Sequence, residues 1–335
     1  MTVPRIGVTP GDPGGIGPEI VVKTLSRPCV LPPAAYVLFA DSRIVAAEEK
    51  RLGLRLAARE WRPEGPREAG VFLAHIPGRA AAPDRPGTRS GAVAPSRVSA
   101  ENGESSFRFF EAAVAEARGG RLEAVVTAPI SKAAWGMAGF PWRGHTDYLA
   151  QFYPGAIMSF WSERLKVALF SHHQPLREAV AAVRKDALVD FLKSLHRALG
   201  KLPGGPYELL VAGLNPHAGE EGCLGLEEED EIRPAVDAAR AEGVPASGPF
   251  PPDTVFLRAL GKKEAVVVAL YHDQGLIAFK LDAFATGVNA TLGLPFVRTS
   301  PDHGTAFDIA GKGVADSRSM EEAIRLAAVF SANGS

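Results

Sequence analysis

Short apolar runs alternate along the chain with segments whose apolar residues recur at helical spacing. The runs are rich in valine, leucine, alanine and phenylalanine, and turn or helix signals separate them, as is typical of buried strands. They lie at 5–9, 36–40, 124–127, 165–170, 209–214 and 265–270. This alternation predicts an α/β fold with a mostly parallel sheet.

Three of the intervening segments show a clear apolar face. Residues that recur every three or four positions are Phe107, Phe110, Val114 and Ala117, then Leu188, Phe191, Leu195 and Leu199, and finally Met320, Ala323, Ile324 and Ala327. This spacing predicts three helices that pack on a core, and glycines at 119 and 200 predict the ends of the first two.

Composition narrows the function classes. The 335 residues are 46% apolar, enough for two ordinary domains, and the formal net charge of −1 argues against a nucleic-acid or anionic-membrane partner. No apolar stretch approaches the roughly 20 residues of a membrane-spanning helix. Cys29 and Cys223 form no C-x-x-C pair and no signal peptide is evident, so we expect a cytoplasmic protein without disulfides.

Histidines follow three of the predicted strands. The run at 165–170 leads to His172 and His173, the run at 209–214 to His217, and the run at 265–270 to His272. Because the carboxyl ends of parallel strands meet at one edge of a sheet, these imidazoles can converge there. The pattern therefore indicates a divalent metal site, with either His172 or His173 facing it, since adjacent residues of an extended chain point to opposite sides.

A glycine-rich segment at 11–19 follows the first strand. Its glycines permit a tight turn, and Pro18 suits the first position of a helix. The spacing is not G-x-G-x-x-G. We therefore consider two interpretations, an anion held by the amides at the start of the helix and a purely conformational turn.

A cationic and polar set lies elsewhere in the chain. Its members are Arg143, His145, Thr146, Lys280, Asn289 and Arg298. Several of them stand in mainly apolar surroundings, where a polar side chain indicates a ligand. Arginine and lysine together favour a phosphate or a carboxylate, which arginine can bind through two parallel hydrogen bonds.

Five motifs together carry a family resemblance. TPGDPGGIGPE at 9–19, GHT at 144–146, LNPHAGE at 214–220, YHDQG at 271–275 and VNATLGLP at 288–295 resemble the 4-hydroxythreonine-4-phosphate dehydrogenases. The resemblance implies an enzyme of vitamin B6 synthesis that oxidises 4-phosphooxy-L-threonine with NAD or NADP. The resulting 3-keto acid loses carbon dioxide and gives 3-amino-2-oxopropyl phosphate.

The resemblance also assigns residues. It implies metal ligands His173, His217 and His272, substrate-binding residues His145, Thr146, Lys280, Asn289 and Arg298, and a homodimer that shares each metal site between its subunits. SHHQPL at 171–176 departs from the family pattern by its second histidine, and His173 keeps the spacing to Pro175. Zinc, cobalt and magnesium all remain open as the metal. Asp273, Lys280 and Asp253 are candidates for the proton acceptor, although Asp253 can instead cap the following helix.

A second likeness concerns the cofactor. The segment HGTAFDIAGKG at 303–313 is similar to the adenosine-binding loop of isopropylmalate and isocitrate dehydrogenases. It implies cofactor contacts from His303, Gly304, Thr305, Ala306 and Asp308. The alternative is a glycine-rich connection into the last helix.

Together these likenesses predict two α/β/α domains of the isopropylmalate-dehydrogenase type with the active cleft between them. We expect the first domain, with the cofactor loop, at 1–127 plus 288–335, and the second, with the metal site and the dimer interface, at 128–287. Three alternatives remain open: a paralogue acting on threonate or erythronate 4-phosphate, a phosphate acyltransferase, and a nucleotide or metabolite sensor without turnover.

Overall fold

The computed structural model describes residues 3–65, 67–78 and 97–332. The strands are β1 (Arg5–Thr9), β2 (Ala35–Ala40), β3 (Arg59–Glu60), β4 (Gly70–His75), β5 (Ala124–Thr127), β6 (Ile157–Trp161), β7 (Lys166–Leu169), β8 (Glu208–Ala212), β9 (Ala246–Phe250), β10 (Ala265–Ala269), β11 (Val288–Leu292) and β12 (Val297–Pro301). The α-helices are α1 (Gly17–Leu25), α2 (Ser42–Leu52), α3 (Ala100–Arg118), α4 (Lys132–Met137), α5 (His145–Ala150), α6 (Leu176–Ala182), α7 (Lys185–Leu199), α8 (Arg233–Ala241), α9 (Val255–Ala259), α10 (His272–Ala283) and α11 (Arg318–Ser331). A π-helical turn, Glu228–Ile232, leads directly into α8.

The chain forms two compact units. The first unit joins Met1–Phe152 to Leu294–Ser335, and the second unit is Tyr153–Gly293. These boundaries differ from the predicted 127/128 and 287/288, because α4 and α5 pack on α3 through a cluster of aromatic rings. Trp135 of α4 and Tyr148 of α5 both contact Phe107 of α3 edge to face. The functional roles expected of the two domains stay predictions.

The first unit contains a parallel sheet in the order β3-β4-β2-β1-β5-β12. Every residue of β1, β2 and β5 is buried, as expected for parallel strands covered on both faces. The apolar face of α3 and that of α11 are buried as well. Asp41 caps α2 by accepting a hydrogen bond from the Arg43 amide, and Gly53 ends that helix in the left-handed conformation at φ 65°.

The second unit contains a mixed sheet in the order β11-β6-β7-β10-β8-β9. The strands from β7 to β9 are parallel, whereas β6 pairs antiparallel with both of its neighbours. Its core joins strand residues such as Val167, Leu210 and Val267 to Phe279 of α10.

The predicted fold class is confirmed. Each of the six predicted strands is present within two residues of its expected bounds, and the three predicted helices are α3, α7 and α11. Sequence analysis missed β3, β4, β6, β9, β11 and β12. No helix within the described ranges is long and apolar enough to cross a membrane.

Candidate active site

The three histidine segments leave neighbouring parallel strands of the second unit. Strand β10 pairs with β7 on one side and with β8 on the other. The segments that carry His173, His272 and His217 therefore start from the same edge of one sheet. The topological part of the metal-site prediction is thus present.

Side chains tie these strand ends together. The Ser171 hydroxyl donates to the carbonyl oxygen of Leu270 at 2.7 Å. Gln274 accepts from the Leu270 amide at 2.7 Å and donates to the carbonyl oxygen of Gly213 at 2.8 Å. Because all three bonds are buried, they fix the spacing of the three loops that follow.

His173 and His272 lie side by side. Their ring centroids are 5.7 Å apart, and the ring of His172 is 5.4 Å from that of His173. Nδ1 of His272 is 2.7 Å from Oδ1 of Asp273. Because a carboxylate accepts, Nδ1 carries the proton, which leaves the Nε2 lone pair of His272 for a metal ion.

His217 stands on a loop with unusual backbone. His217, Ala218, Glu220 and Glu221 have φ values of 56°, 54°, 44° and 55°, the left-handed region that residues other than glycine rarely adopt. Such strain persists only where the surroundings impose it, and it is frequent at functional sites. The imidazole of His217 is 67% exposed, and its Nδ1 lies 3.8 Å from Oε2 of Glu220.

A buried carboxylate holds this loop in place. Glu228 is fully buried, and its Oε1 accepts hydrogen bonds from the amides of Leu214 and Asn215 at 2.6 and 2.7 Å. Its Oε2 accepts from the Asn215 side chain at 2.8 Å. Glu228 therefore satisfies the backbone at the start of the loop that presents His217.

Within one chain, the residues that the structure describes do not form a complete metal site. Across residues 3–65, 67–78 and 97–332, no group of three or more His, Cys, Asp or Glu side chains is arranged to hold a metal ion. The structure brings His173 and His272 together, and it does not add His217 to a triad within one chain.

In the first unit, the predicted residues His145 and Arg298 form a buried cationic site together with Thr127. Arg298 of β12 donates through Nη2 to the Thr127 hydroxyl at 2.7 Å and to Nδ1 of His145 at 3.2 Å. Arg298 is 4% exposed and His145 is 8% exposed. Burial lowers the pKa of Arg298 to about 10, so the guanidinium still carries its charge at neutral pH.

His145 is a neutral hydrogen-bond donor at this site. Burial, and secondarily the charge of Arg298, hold the pKa of His145 well below its ordinary value. Since Nδ1 accepts from Arg298, the proton of the neutral ring is on Nε2. That Nε2 is buried and finds no hydrogen-bond partner among the residues that the structure describes. The ring is oriented by Phe110 and Trp135, at centroid distances of 4.4 and 5.5 Å.

The other predicted substrate residues occupy separate positions. Thr146 follows His145 in the first turn of α5 and is partly buried. In the second unit, Asn289 lies on β11 and is partly buried, and Lys280 lies on α10 and is exposed. The segment interpreted as a ligand-binding stretch at 286–298 is thus made largely of two strands, β11 and β12.

The candidate proton acceptors also differ in environment. Asp273 and Lys280 are two helical turns apart on α10, and Asp253 is exposed in the turn before α9. The N-cap of α9 is Thr254, so the alternative of Asp253 as a helix cap is wrong. Asp273 is engaged with His272, as described above.

The predicted cofactor loop lies against the glycine-rich turn of the first unit. The amide of Ile16 donates to the carbonyl oxygen of Thr305 at 2.9 Å. A Cβ atom on Gly15 would stand 2.8 Å from that same oxygen, so only glycine permits this approach. Ala306 adopts φ 41°, whereas Gly304 and Asp308 are exposed.

His303 offers an acceptor within this loop. Its Nδ1 is 3.1 Å from the Gly304 carbonyl oxygen, so Nδ1 carries the proton. Its Nε2 is buried and, within the part of the chain that the structure describes, has no hydrogen-bond partner. Such an acceptor suits a ligand amino group, for example that of an adenine ring.

Sequence reasoning missed several residues that support these sites. A threonine at a strand end, a single glutamine and one glutamate among several carry no spacing signal. Sequence analysis therefore does not identify Thr127, Gln274 or Glu228. Glu228 belongs to a run of five acidic residues at 227–231. Nothing in that run distinguishes the buried member from the exposed ones.

Comparison with known proteins places the chain in a class. The 4-hydroxythreonine-4-phosphate dehydrogenase of Chromobacterium violaceum is 42% identical over 328 residues, which cover 97% of this chain and 96% of that protein. A crystal structure of the 4-hydroxythreonine-4-phosphate dehydrogenase of Klebsiella pneumoniae matches with a TM-score of 0.82 and 37% identity, over 98% of both chains. A "Putative D-threonate 4-phosphate dehydrogenase" of Symbiobacterium thermophilum is 38% identical over 99% of this chain and 98% of its own.

All three relatives are dehydrogenases by name, and the chain therefore falls among the α/β oxidoreductases. The family model for the pyridoxal phosphate biosynthetic protein PdxA matches residues 34–327. The chain belongs to this family. The predicted family and the prediction of an enzyme are both confirmed, and the acyltransferase and sensor alternatives lose their support.

Proposed function

We propose that this protein oxidises 4-phosphooxy-L-threonine with NAD or NADP, assisted by a divalent metal ion. The 3-keto acid formed loses carbon dioxide and becomes 3-amino-2-oxopropyl phosphate, a step of vitamin B6 synthesis. The observation that carries the proposal is the buried Arg298–His145 pair, both residues of which lie within the range 34–327 that the family model matches.

Arg298 and His145 are the residues that we assign to the substrate phosphate. A buried guanidinium and a neutral imidazole whose Nε2–H has no partner among the described residues provide a charge and a donor for an anionic group. Thr127 and His145 engage one nitrogen of Arg298 and fix its plane. Binding at this unreactive end of the substrate orients the carbon that reacts. Thr146, Lys280 and Asn289 complete the proposed substrate set.

His173, His217 and His272 are the proposed metal ligands. Imidazole nitrogens suit zinc and cobalt, and Asp273 orients His272 as carboxylates that hydrogen-bond to metal-binding histidines commonly do, so this donor set fits a divalent ion. A bound divalent ion supplies Lewis-acid stabilisation of negative charge on the substrate oxygen. Because Asp273 is engaged in orienting His272, Lys280 and Asp253 are the stronger candidates for accepting the hydroxyl proton.

The loop residues His303, Gly304, Thr305, Ala306 and Asp308 are the proposed contacts of the dinucleotide, which accepts the hydride. The buried Nε2 of His303 and the exposed backbone of Gly304 fit such a ligand. Cys29 and Cys223 are free and exposed, which suits the reducing cytoplasm.

A homodimer that shares its metal sites accounts for the incomplete triad. On α10, Ile277, Leu281 and Phe284, just after its end, are 64%, 84% and 75% exposed and recur at helical spacing. A contiguous apolar stripe of this kind is typical of a surface that another chain covers. It lies on the same helix as His272 and Lys280, so a second subunit on this stripe brings its side chains close to the metal ligands.

The substrate is tested by assaying the purified, zinc-loaded protein with 4-phosphooxy-L-threonine beside D-threonate and D-erythronate 4-phosphates. We expect NAD(P)H formation and carbon dioxide release to be fastest with the amino acid. The Symbiobacterium relative favours a second candidate, a D-threonate 4-phosphate dehydrogenase. A higher kcat/KM for the amine-free acids would establish that second function.

The dimer is tested by Leu281→Glu. The matched control is Val329→Glu, at an exposed position of α11 in the first unit. We expect sedimentation of Leu281→Glu as a monomer with reduced zinc binding, and an unchanged dimer for the control. A dimeric Leu281→Glu protein that binds zinc normally would contradict the assignment of this surface.

A further inference from the structure

Glu19, the last residue of the glycine-rich motif, contacts the end of the 303–313 loop. It lies on α1 and is 1% exposed. Its Oε1 accepts from the amide of Ala315 at 2.8 Å, and its Oε2 accepts from the amide of Gly313 at 3.2 Å. One buried carboxylate thus accepts from the last amide of the proposed cofactor loop and from a second amide two residues beyond it.

Lys23, one helical turn later on α1, contacts the same two residues through their carbonyl groups. Its Nζ donates to the oxygen of Gly313 at 2.9 Å and to that of Ala315 at 2.7 Å. Nζ also donates to Oε1 of Glu19 at 2.8 Å. Glu19 therefore binds the N–H groups of Gly313 and Ala315, and Lys23 binds their C=O groups. Four hydrogen bonds of this kind fix the orientation of this backbone segment as well as its distance from α1.

The beginning of the loop is held by the same motif. Ile16, at the start of α1, donates to the Thr305 carbonyl, and Gly15 permits the close approach of that residue. Residues 305 and 313–315 are consequently both fixed to one short helix and its preceding turn. This favours the conformational interpretation of the glycine-rich segment and gives it a specific purpose.

The charged groups around Glu19 stabilise its hydrogen bonds to the backbone of Gly313 and Ala315. Burial alone would raise the pKa of Glu19, but hydrogen bonds from Lys23, from the Ala315 amide and from Arg51 outweigh burial and lower it. The carboxylate is therefore ionised at neutral pH, which strengthens its bonds to the backbone amides. Arg51 is shared with Glu48, which accepts from Arg51 Nε at 2.9 Å.

We propose that Glu19 and Lys23 are positioning residues that hold the 303–313 loop in its dinucleotide-binding conformation. The inference rests on the proposed function of that loop. A loop that is fixed before the ligand arrives loses less conformational freedom on binding. Loosening Gly313 and Ala315 therefore weakens binding of the dinucleotide without touching the residues assigned to the phosphorylated substrate.

The decisive variant is Glu19→Gln, which keeps the size of the side chain but replaces one acceptor oxygen by an amide nitrogen. We expect hydrogen exchange of the amides within 306–317 to accelerate about tenfold, since a backbone donor loses its charged acceptor. Calorimetry should give a Kd for NAD⁺, or for NADP⁺ if that is preferred, raised about tenfold. The KM for the phosphorylated substrate should change less than twofold.

Glu48→Gln is the matched control, because it removes a partner of Arg51 and leaves both loop amides with Glu19. We expect normal hydrogen exchange and dinucleotide binding. If Glu19→Gln fails to fold, Lys23→Met tests the same contact through the carbonyl groups, with the same expected shifts. Restoration of tight binding in Lys23→Arg would support positioning over a general loss of packing.

A direct loop variant separates the two proposals. If His303→Ala weakens dinucleotide binding while Glu19→Gln and Lys23→Met do not, the positioning role is wrong and the loop assignment stands. If His303→Ala leaves the Kd unchanged, the cofactor role of the loop fails, and the positioning role fails with it. Equal exchange rates at 306–317 in Glu19→Gln and the unaltered protein would also overturn the inference.

Discussion

Arg298 donates a hydrogen bond to Nδ1 of His145, and this one contact determines which nitrogen of the imidazole carries the proton. The donor Nε2–H that results is buried against Phe110 and Trp135. A pair of this kind presents one positive charge and one neutral donor in fixed directions. The pair therefore suits an anion with several acceptor oxygens, such as a phosphate.

Arg298→Lys should lower kcat/KM for 4-phosphooxy-L-threonine about 100-fold, because lysine keeps the charge but lacks the planar guanidinium that can bind a phosphate through two parallel hydrogen bonds. Steady-state kinetics measures the change. Arg118→Lys is the control, since Arg118 is an exposed arginine of the same unit that stacks on Phe152. An Arg298→Lys enzyme within twofold of the unaltered protein would show that the phosphate lies elsewhere.

His145 should not titrate in the physiological range. Because burial holds its pKa well below 6.5, the ring stays neutral from pH 6 to pH 9, and the KM for substrate should show no inflection from this residue. The unfolded chain does take up that proton, so the free energy of unfolding should decrease as the pH falls below about 6.5. An inflection of KM near pH 6.5 that disappears in His145→Gln would contradict the neutral donor.

Glu228→Gln should release the loop that carries His217. The substituted amide cannot accept from both the backbone and the Asn215 side chain, so we expect a loss of about 1–3 kcal/mol in the free energy of unfolding. Zinc affinity should fall about 10- to 100-fold, as is usual when a group supporting a metal ligand is lost. Chemical denaturation and competition with a chelator measure the two effects.

The control for that loop is Glu227→Gln. Glu227 accepts from the Asn215 side chain at 2.7 Å, and it is partly exposed. Its replacement should leave zinc binding nearly unchanged. Equal losses in Glu227→Gln and Glu228→Gln would indicate a general effect of charge and not support of the backbone.

Asp12→Asn should stabilise the protein at high pH. Burial raises the pKa of Asp12 to about 6, while its Oδ1 accepts from the Gly14 amide at 2.8 Å. The native state thus binds this proton more tightly than the unfolded chain does, and the contribution of Asp12 to stability decreases as the pH rises from about 4 to above 6. We expect the variant to gain about 1–3 kcal/mol at pH 8 and almost nothing at pH 4.

Asp41→Asn should change the pH dependence of stability in the opposite direction. Burial alone would raise the pKa of Asp41, but the bonds from Arg43 and from the Gly78 amide outweigh it and lower the pKa to about 2. Stability from Asp41 is therefore present above about pH 4 and is lost as the pH falls toward 2, so Asp41→Asn should destabilise the protein at pH 8. Urea unfolding of Asp12→Asn and Asp41→Asn between pH 2 and pH 8 measures these changes in the free energy of unfolding. Differences from the unaltered protein that do not vary with pH would contradict both predictions.

The sequence predicted the strands whose residues are buried on both faces and predicted less of the others. Strands β2, β5 and β10 consist almost entirely of apolar residues, whereas β9 contains Gly248 and Pro249 and β12 contains Arg298 and Pro301. These residues disfavour a strand in any local assessment. Only the pairing of β12 with β5 makes the buried arginine acceptable, and that pairing joins residues far apart in sequence.

The site shows the same division. The sequence identifies His145, Arg298 and the strand-end histidines as candidates because they stand in motifs or close to apolar runs, and their roles stay predictions. Thr127, Glu19 and Glu228 are not identified, because their roles depend on partners about 14 to about 296 residues distant. Spacing within one segment cannot reveal a hydrogen bond to another segment.

The divided first unit has a consequence for synthesis of the chain. Strand β12 is the last strand of a sheet whose other strands lie within residues 5–127, and helix α11 packs on that sheet. A ribosome therefore finishes all of the second unit before it releases the last pieces of the first. Until β12 has been synthesised, one edge of β5 lacks its neighbouring strand. An uncovered strand edge can pair with other chains, so chaperone protection matters most at this edge.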